Sequence, residues 1–182
     1  MSGRCLPHDW YRQPLPANVV LGDDSWLYSV FAFRHYRSQR PVGVYVGNKT
    51  GLYNGTFFDL GPSGELSVGD YCTLVGAVVC SNRRIVIGDY VFIAHEVVLA
   101  DTACAVPSWP SGEPTERWKS APISIEIANN SWVGARAVLL AGARIGEGAI
   151  VGAAAVIDFE VPPHTIAAGN PGRLVGSVPN CK

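Results

Sequence analysis

At 182 residues the chain is the size of one domain, and 48% hydrophobic against 16% charged residues leaves apolar surface that has to be stacked in a core or buried between subunits. A net charge of −1 argues against nucleic acid as the main partner, and no apolar run approaches the ~20 residues of a membrane span. The opening MSGRCLPHDW lacks a signal-peptide core and the five cysteines show no C-x-x-C spacing, so the expectation is a cytoplasmic protein with neither a disulfide framework nor a structural zinc.

Taken in chain order, residues 1–65 carry a thin rhythm. Leu21, Leu27 and Phe33, then Val46, Leu52 and Phe58, recur at intervals of six with irregular residues between, which predicts early, distorted coils in an irregular N-terminal region. His35 falls here among Arg34, Tyr36, Arg37 and Arg40, a cluster suited either to an anionic ligand or to a charged edge strand that resists pairing. The beat sharpens with Val68, Leu74 and Cys80, admits one extra residue, and resumes at Ile87, Ile93 and Leu99. Residues 102–124 then break the period with Pro, Ser and charge. They read as a protruding functional loop, since Trp109 and Trp118 are costly to leave in a free tail.

Beyond the loop the pattern is strict. Ile127, Val133, Leu139, Ile145, Val151 and Ile157 are spaced by six, and each is followed four positions later by a compact residue: Ser131, Ala137, Ala143, Ala149, Ala155 and Val161. A strand has period two and a helix 3.6, so neither gives this interval. A parallel β-helix does, because each six-residue unit forms one short face and turns a corner, and three units make a coil. Stacking each central Ile, Val or Leu between neighbouring coils is worth roughly 1.5–3 kcal/mol. The expectation is one all-β domain over residues 1–182, with hexapeptide coils over 66–176, the loop at 102–124 and a tail at 177–182.

The order I-G-D-Y-V-F-I-A, an interrupting loop, S-W-V-G-A-R-A-V-L-L-A-G-A-R-I-G-E-G-A-I-V-G-A-A-A-V-I and finally A-G-N-P-G-R resembles the left-handed β-helix acyltransferases, most of all the sugar O-acetyltransferase and maltose or galactoside acetyltransferase group. The resemblance covers roughly residues 66–176 and implies a left-handed parallel β-helix and a homotrimer with clefts between subunits. It also implies acetyl-CoA as acyl donor lying along the coils, and a small-molecule acceptor whose hydroxyl or amine is deprotonated by a histidine. A hydroxyl is a poor nucleophile until a base with a pKa near working pH removes its proton. Residue by residue, the resemblance assigns the cofactor groove to Trp132, Gly134 and Ala135 in W-V-G-A, to Ala153 in V-G-A-A, and to Arg173 in G-N-P-G-R, whose permanent charge and planar donor fork suit nucleotide phosphates. No metal is implied.

Two departures qualify the resemblance. Where the family commonly reads V-T-K-D-V-P-P, this chain reads V-I-D-F-E-V-P-P, so Phe159 stands in place of a lysine beside the phosphates. Where the family keeps its base, this chain reads L-A-D-T-A-C-A-V: Asp101 keeps the acidic place, but Thr102 and Cys104 replace histidine. The nearest imidazole is His95 in I-A-H-E-V-V, at the second position after its central residue, where a side chain can point out of the stack. It is the candidate base, with Asp101 as its candidate partner. Cys104 is a candidate nucleophile if its thiolate is favoured. A zinc role for His95 is discounted, because Ala100 stands where a second histidine is required, and His164 reads as structural. Three functions stay open: an acyl-CoA-dependent transferase, an acyltransferase-like protein that has lost its base and only binds a ligand or partner, and a different small-molecule enzyme in an intersubunit cleft.

Overall fold

The computed structural model describes residues 5–101 and 124–179. Its strands wind into coils of three faces. The first coil comprises β1 (Val19–Leu21), β2 (Trp26–Leu27) and, in place of a third strand, one turn of 3₁₀ helix at Val30–Phe33. The second comprises β3 (Val44–Val46), β4 (Gly51–Leu52) and β5 (Phe57–Leu60), and the third β6 (Glu65–Val68), β7 (Thr73–Leu74) and β8 (Val78–Ser81). The fourth coil holds β9 (Arg84–Ile87), β10 (Phe92–Ile93) and β11 (Val98–Ala100), after which the 102–124 excursion begins. The chain re-enters the stack with β12 (Ile125–Ile127), β13 (Trp132–Val133) and β14 (Val138–Leu140). The sixth coil comprises β15 (Arg144–Ile145), β16 (Ile150–Val151) and β17 (Val156–Ile157). Finally β18 (Glu160–Val161), β19 (Thr165–Ala168) and β20 (Arg173–Ser177) close the stack.

Successive coils pair in parallel and in register, which makes three sheets: β1-β3-β6-β9-β12-β15-β18, β2-β4-β7-β10-β13-β16-β19-β20 and β5-β8-β11-β14-β17. Only the terminal β19–β20 pair is antiparallel. The core is three columns of stacked apolar side chains. One runs Leu21, Val46, Val68, Ile87, Ile127, Ile145 and Val161, the second Leu27, Leu52, Leu74, Ile93, Val133, Val151 and Ala167. The third runs Phe58, Val79, Leu99, Leu139 and Ile157, with Phe33 stacked on Phe58 at its open end, ring centroids 4.9 Å apart. The expected hexapeptide rhythm therefore reaches down to Leu21. In the third coil the expected core residue was Cys80, and the structure corrects this to Val79, with half-buried Cys80 turned the other way. The reason is local: the chain reaches Val79 from Leu74 in five steps, one fewer than elsewhere, because that corner is a residue short.

A second repeat fixes the corner between the first and second sheets. The backbone N–H of Asp23 donates to Asn48 Oδ1, that of Asn48 to Asp70 Oδ1, that of Asp70 to Asp89 Oδ1 and that of Asp89 to Asn129 Oδ1, at 2.7–2.9 Å, so each coil's turn is held by the acidic or amide side chain of the next. A glycine precedes the donor residue in all four coils, at Gly22, Gly47, Gly69 and Gly88, and a Cβ at any of them would collide with the accepting oxygen. The bottom of the stack is closed by an N-terminal strap. Leu15 is buried, Leu6 and Tyr11 pack on the core, and Asp9 is buried against the first coil. Asp9 accepts from Ser29 Oγ (2.8 Å) and from the backbone N–H groups of Val30 (2.6 Å) and Tyr11 (2.8 Å).

Candidate functional site

At the corner between the second and third sheets, the position two residues after the central residue is buried Ser29 in the first coil and points outward from the second coil upward. Going up the stack it is Asn54, then His95, Ala135 and Ala153, with no equivalent in the shortened third coil. The alignment is set by hydrogen bonds: Arg136 N–H donates to the His95 carbonyl (2.8 Å) and Ala154 N–H to the Ala135 carbonyl (2.9 Å). Above them Val156 N–H reaches the Gly169 carbonyl (3.0 Å), and Arg173 begins β20 opposite Ala168. The register thus brings His95, Ala135, Ala153 and Arg173 onto one edge of the prism, and strands about 4.8 Å apart put its β10 and β20 ends, where His95 and Arg173 stand, about 19 Å apart along the axis.

Between these ends the edge is bare backbone. A Cβ at Gly134 would lie 2.7 Å from Ala153 N and one at Gly152 3.0 Å from Ala168 Cβ, so close winding of the upper coils demands glycine there. Ala135 and Ala153 donate no hydrogen bond to the described residues, which leaves their N–H groups available to a ligand. Arg173 is exposed and makes no ion pair with the described residues, whereas Arg136 is committed to Glu96 at 2.7 Å. The hydrogen bond and charge of Arg136, with a smaller effect of His95, hold the Glu96 carboxyl below its usual range. Trp132 stands on the outer face of β13, half exposed and edge-on to Phe92, centroids 6.4 Å apart. A groove with free amides, no side-chain bulk and an unpaired cation at one end fits an extended, amide-bearing acyl carrier ending in phosphates.

His95 is exposed, and its ring makes no hydrogen bond to the described residues. Asp101 does not approach it. The two lie at opposite ends of β11, whose three residues span about 10 Å, and the Asp101 carboxylate is occupied elsewhere. It accepts from Ser81 Oγ and Ser124 Oγ, each at 2.5 Å, and from Asn82 N–H at 3.1 Å, so it ties together the two ends of the 102–124 excursion. Thr102, Cys104, Trp109 and Trp118 lie outside the described residues.

The remaining sequence candidates are accounted for by packing. Phe159 packs against the core, and a Cβ on Gly172 would lie 3.3 Å from its ring. His164 occupies a left-handed corner position (φ 53°) with its ring over Gly148. His35 meets Phe57 edge-on at 5.1 Å, while Arg37 pairs with Asp59 at 3.0 Å and Arg40 Nε donates to the Ser63 carbonyl at 3.3 Å.

Sequence reasoning missed a depression of about 530 Å³ beside His95, walled by Tyr28, Tyr53, Asn54, Thr73 and Val75. It opens where the third coil lacks its corner residue. The five-residue interval between Leu74 and Val79 was the available signal, and it was hidden because Val79 and Cys80 are both apolar.

Residues 124–158 match the family described as Bacterial transferase hexapeptide (six repeats). Galactoside O-acetyltransferase of Escherichia coli (strain K12) is 30% identical over 100 residues, a stretch covering 55% of this chain and 47% of that protein. A protein of Staphylococcus aureus (strain MRSA252) named as an acetyltransferase is 40% identical over 62 residues, 34% of this chain and 30% of its own length. The matched stretches thus span less than half of these relatives. Among solved structures, a hexapeptide-repeat acetyltransferase of Vibrio cholerae complexed with acetyl coenzyme A superposes with a TM-score of 0.56 at 22% identity, over 83% of this chain and 77% of that one. A variant of an N-acyltransferase from Bacillus cereus, in complex with dTDP and coenzyme A, gives 0.63 at 18% identity, over 89% and 84%. These likenesses establish a shared hexapeptide-repeat fold.

Proposed function

We propose that this hexapeptide-repeat β-solenoid is an acyl-CoA-dependent acyltransferase, with acetyl-CoA as donor and a hydroxyl or amine of a sugar or other small molecule as acceptor. The observation that carries the reading is the single edge holding His95, Ala135, Ala153 and Arg173. The named activities of the Escherichia coli and Staphylococcus aureus relatives support it. Bound acyl-CoA supplies an activated thioester carbonyl. The chain's own part is to hold and to deprotonate. Arg173 binds phosphate, the free N–H groups of Ala135 and Ala153 fix the extended arm against the coils, Trp132 and Gly134 frame its entry, and the unprotonated nitrogen of His95 takes the acceptor's proton. No covalent enzyme intermediate is needed.

The reading includes a cytoplasmic homotrimer. Trp26, Tyr71, Tyr90, Phe92 and Trp132 lie exposed along the second sheet and its edge, an apolar stripe that a neighbouring subunit would cover. The test is release of free thiol from acetyl-CoA in the presence of sugar acceptors. His95→Ala should lower turnover by about 10²–10⁴ with CoA affinity unchanged, and near-complete retention of turnover would remove His95 from the mechanism. A second reading, binding without transfer, is favoured by one feature, that no carboxylate among the described residues orients the His95 ring. CoA binding with no thiol release for any acceptor would select it.

A further inference from the structure

Resting on the acyltransferase reading, which lays the donor's thioester at His95 and its phosphates at Arg173, we infer that the nucleotide end of the groove reads the pyrophosphate and the base but not the ribose 3′-phosphate. Thioesters of dephospho-CoA then serve as donors as well as those of CoA. Length sets the frame. The arm from the thiol sulfur to the first phosphorus has about thirteen bonds, each advancing about 1.2–1.3 Å when extended, so it spans ~16 Å. The edge from β10 to β20 spans about 19 Å. The pyrophosphate therefore arrives at Arg173 where the second sheet ends, and the ribose with its 3′-phosphate lies past the last strand.

What surrounds Arg173 matches part of a nucleotide. Arg173 begins β20 opposite Ala168, and its guanidinium has no ion-pair partner among the described residues. A permanent charge on a planar donor fork suits the pyrophosphate. Its neighbours are apolar. Leu174 and Val175 are 49% and 62% exposed, and on the other side Gly172 lacks a side chain, so the half-buried Phe159 ring comes up beside it. A Cβ on Gly172 would lie 3.3 Å from Phe159 Cε1. Exposed aliphatic side chains next to an aromatic ring offer an apolar seat for the flat face of a purine.

A further phosphate finds no such partner. Among the described residues from Ser124 upward the cations are Arg136, Arg144 and Arg173. Arg136 is paired with Glu96 at 2.7 Å, and Arg144 lies 3.6 Å from Glu126 and donates to the Ser124 carbonyl at 3.2 Å. The segment that meets Gly172 from the coil below is Asp158-Phe159-Glu160, and both of its carboxylates are exposed. A 3′-phosphate drawn to this end would give up water to meet two negative charges, so it stays hydrated, where salt screens it. Phe159 is the specificity-determining residue: its uncharged ring holds the place beside Arg173 where a second cation would stand.

The test is titration calorimetry of the full chain with CoA, dephospho-CoA and pantetheine. The expected result is CoA and dephospho-CoA within about twofold of each other in Kd, and pantetheine at least about tenfold weaker. Arg173→Ala should weaken both nucleotides by the same factor, since the pyrophosphate is common to them. Phe159→Lys should create a preference for CoA over dephospho-CoA of about three- to fivefold at low salt, the size of an exposed charge pair. Asp158→Lys, which leaves the core untouched, should do the same and keeps the test decisive if Phe159→Lys fails to fold. Wild-type protein that binds CoA about tenfold or more tightly than dephospho-CoA overturns the inference and leaves the transferase reading standing. An Arg173→Ala protein that loses affinity for CoA alone does likewise, because Arg173 would then read the 3′-phosphate. Pantetheine binding as tightly as CoA also overturns it, since nothing at this end would then be read. If no CoA compound binds, the transferase reading itself falls.

Discussion

Gly69 shows how narrowly single positions are specified. It lies where the turn of one coil receives the side chain of the next, and a methyl group there would overlap Asp89 Oδ1 and come within 2.7 Å of the Gly88 carbonyl carbon and oxygen. Because the obstacle includes backbone, it cannot swing away, and the stack must spread locally. Gly69→Ala should therefore cost about 1–3 kcal/mol, read as a lower melting temperature by about 2–4 °C for each kcal/mol. An unchanged midpoint would show that the corner can relax. Arg173 is specified for a different reason. It is exposed and has no ion-pair partner among the described residues, so its removal costs the fold little. Arg173→Ala should raise the KM for acyl-CoA while leaving kcat near wild type, the pattern of lost uniform binding. A fall in kcat at unchanged KM would assign it another role.

Among the elements, the N-terminal strap is the one held by a titrating group. Burial pushes the Asp9 carboxyl up, but the amides of Val30 and Tyr11, the Ser29 hydroxyl and the neighbouring His8 charge together outweigh that and leave it below the usual carboxylate value. A carboxyl whose pKa is depressed by folding contributes stability that is fully present above its unfolded value, near 3.9. That contribution is lost as the pH falls from there through the lower folded value. The protection factor of the Val30 amide, which divides out the intrinsic slowing of amide exchange with falling pH, should therefore be high at pH 6 and drop selectively as the pH falls below about 4. The Asp9→Asn protein should exchange faster at pH 6 and lose most of this pH dependence. A loss of protection of equal size in both would mean that some other group releases the strap. Trp10 and Tyr11 belong to this element, and Trp10 walls a second depression, of about 300 Å³, that shares Tyr28, Tyr53 and Asn54 with the one beside His95, so strap docking and that depression are linked.

For the whole molecule, the uneven distribution of aromatic side chains is the feature that points beyond one chain. The second sheet shows Trp26, Phe92 and Trp132 outward in one row, and the Tyr71–Tyr90 pair stacks beside it with centroids 4.8 Å apart, planes 3° from parallel. Sedimentation at working concentration should give three times the chain mass of 19.4 kDa. Phe92→Asp, which puts a charge in the middle of the row, should shift the protein towards monomer. A wild-type mass near that of one chain removes the trimer, and a trimer indifferent to Phe92→Asp moves its interface to another face.

The sequence by itself determined the architecture from Ile127 to Ile157, because a central residue every six positions and a compact one four later are compatible with stacked coils and with no helix or simple strand. The same arithmetic carried down to Leu21, although the Gly-Asp and Gly-Asn corners that hold the lower coils together showed no period of their own. What only the tertiary structure decided was contact between coils. Ala135 and Ala153 are 18 residues apart and His95 a further 40, yet stacking puts them on one edge. Asp101, only six residues from His95, is carried by β11 to the opposite corner and spent on Ser81 and Ser124. The depression beside His95 was illegible for the same reason: an omitted residue leaves no mark in a list of side chains, and its consequence appears only when the coils above and below are laid against the gap.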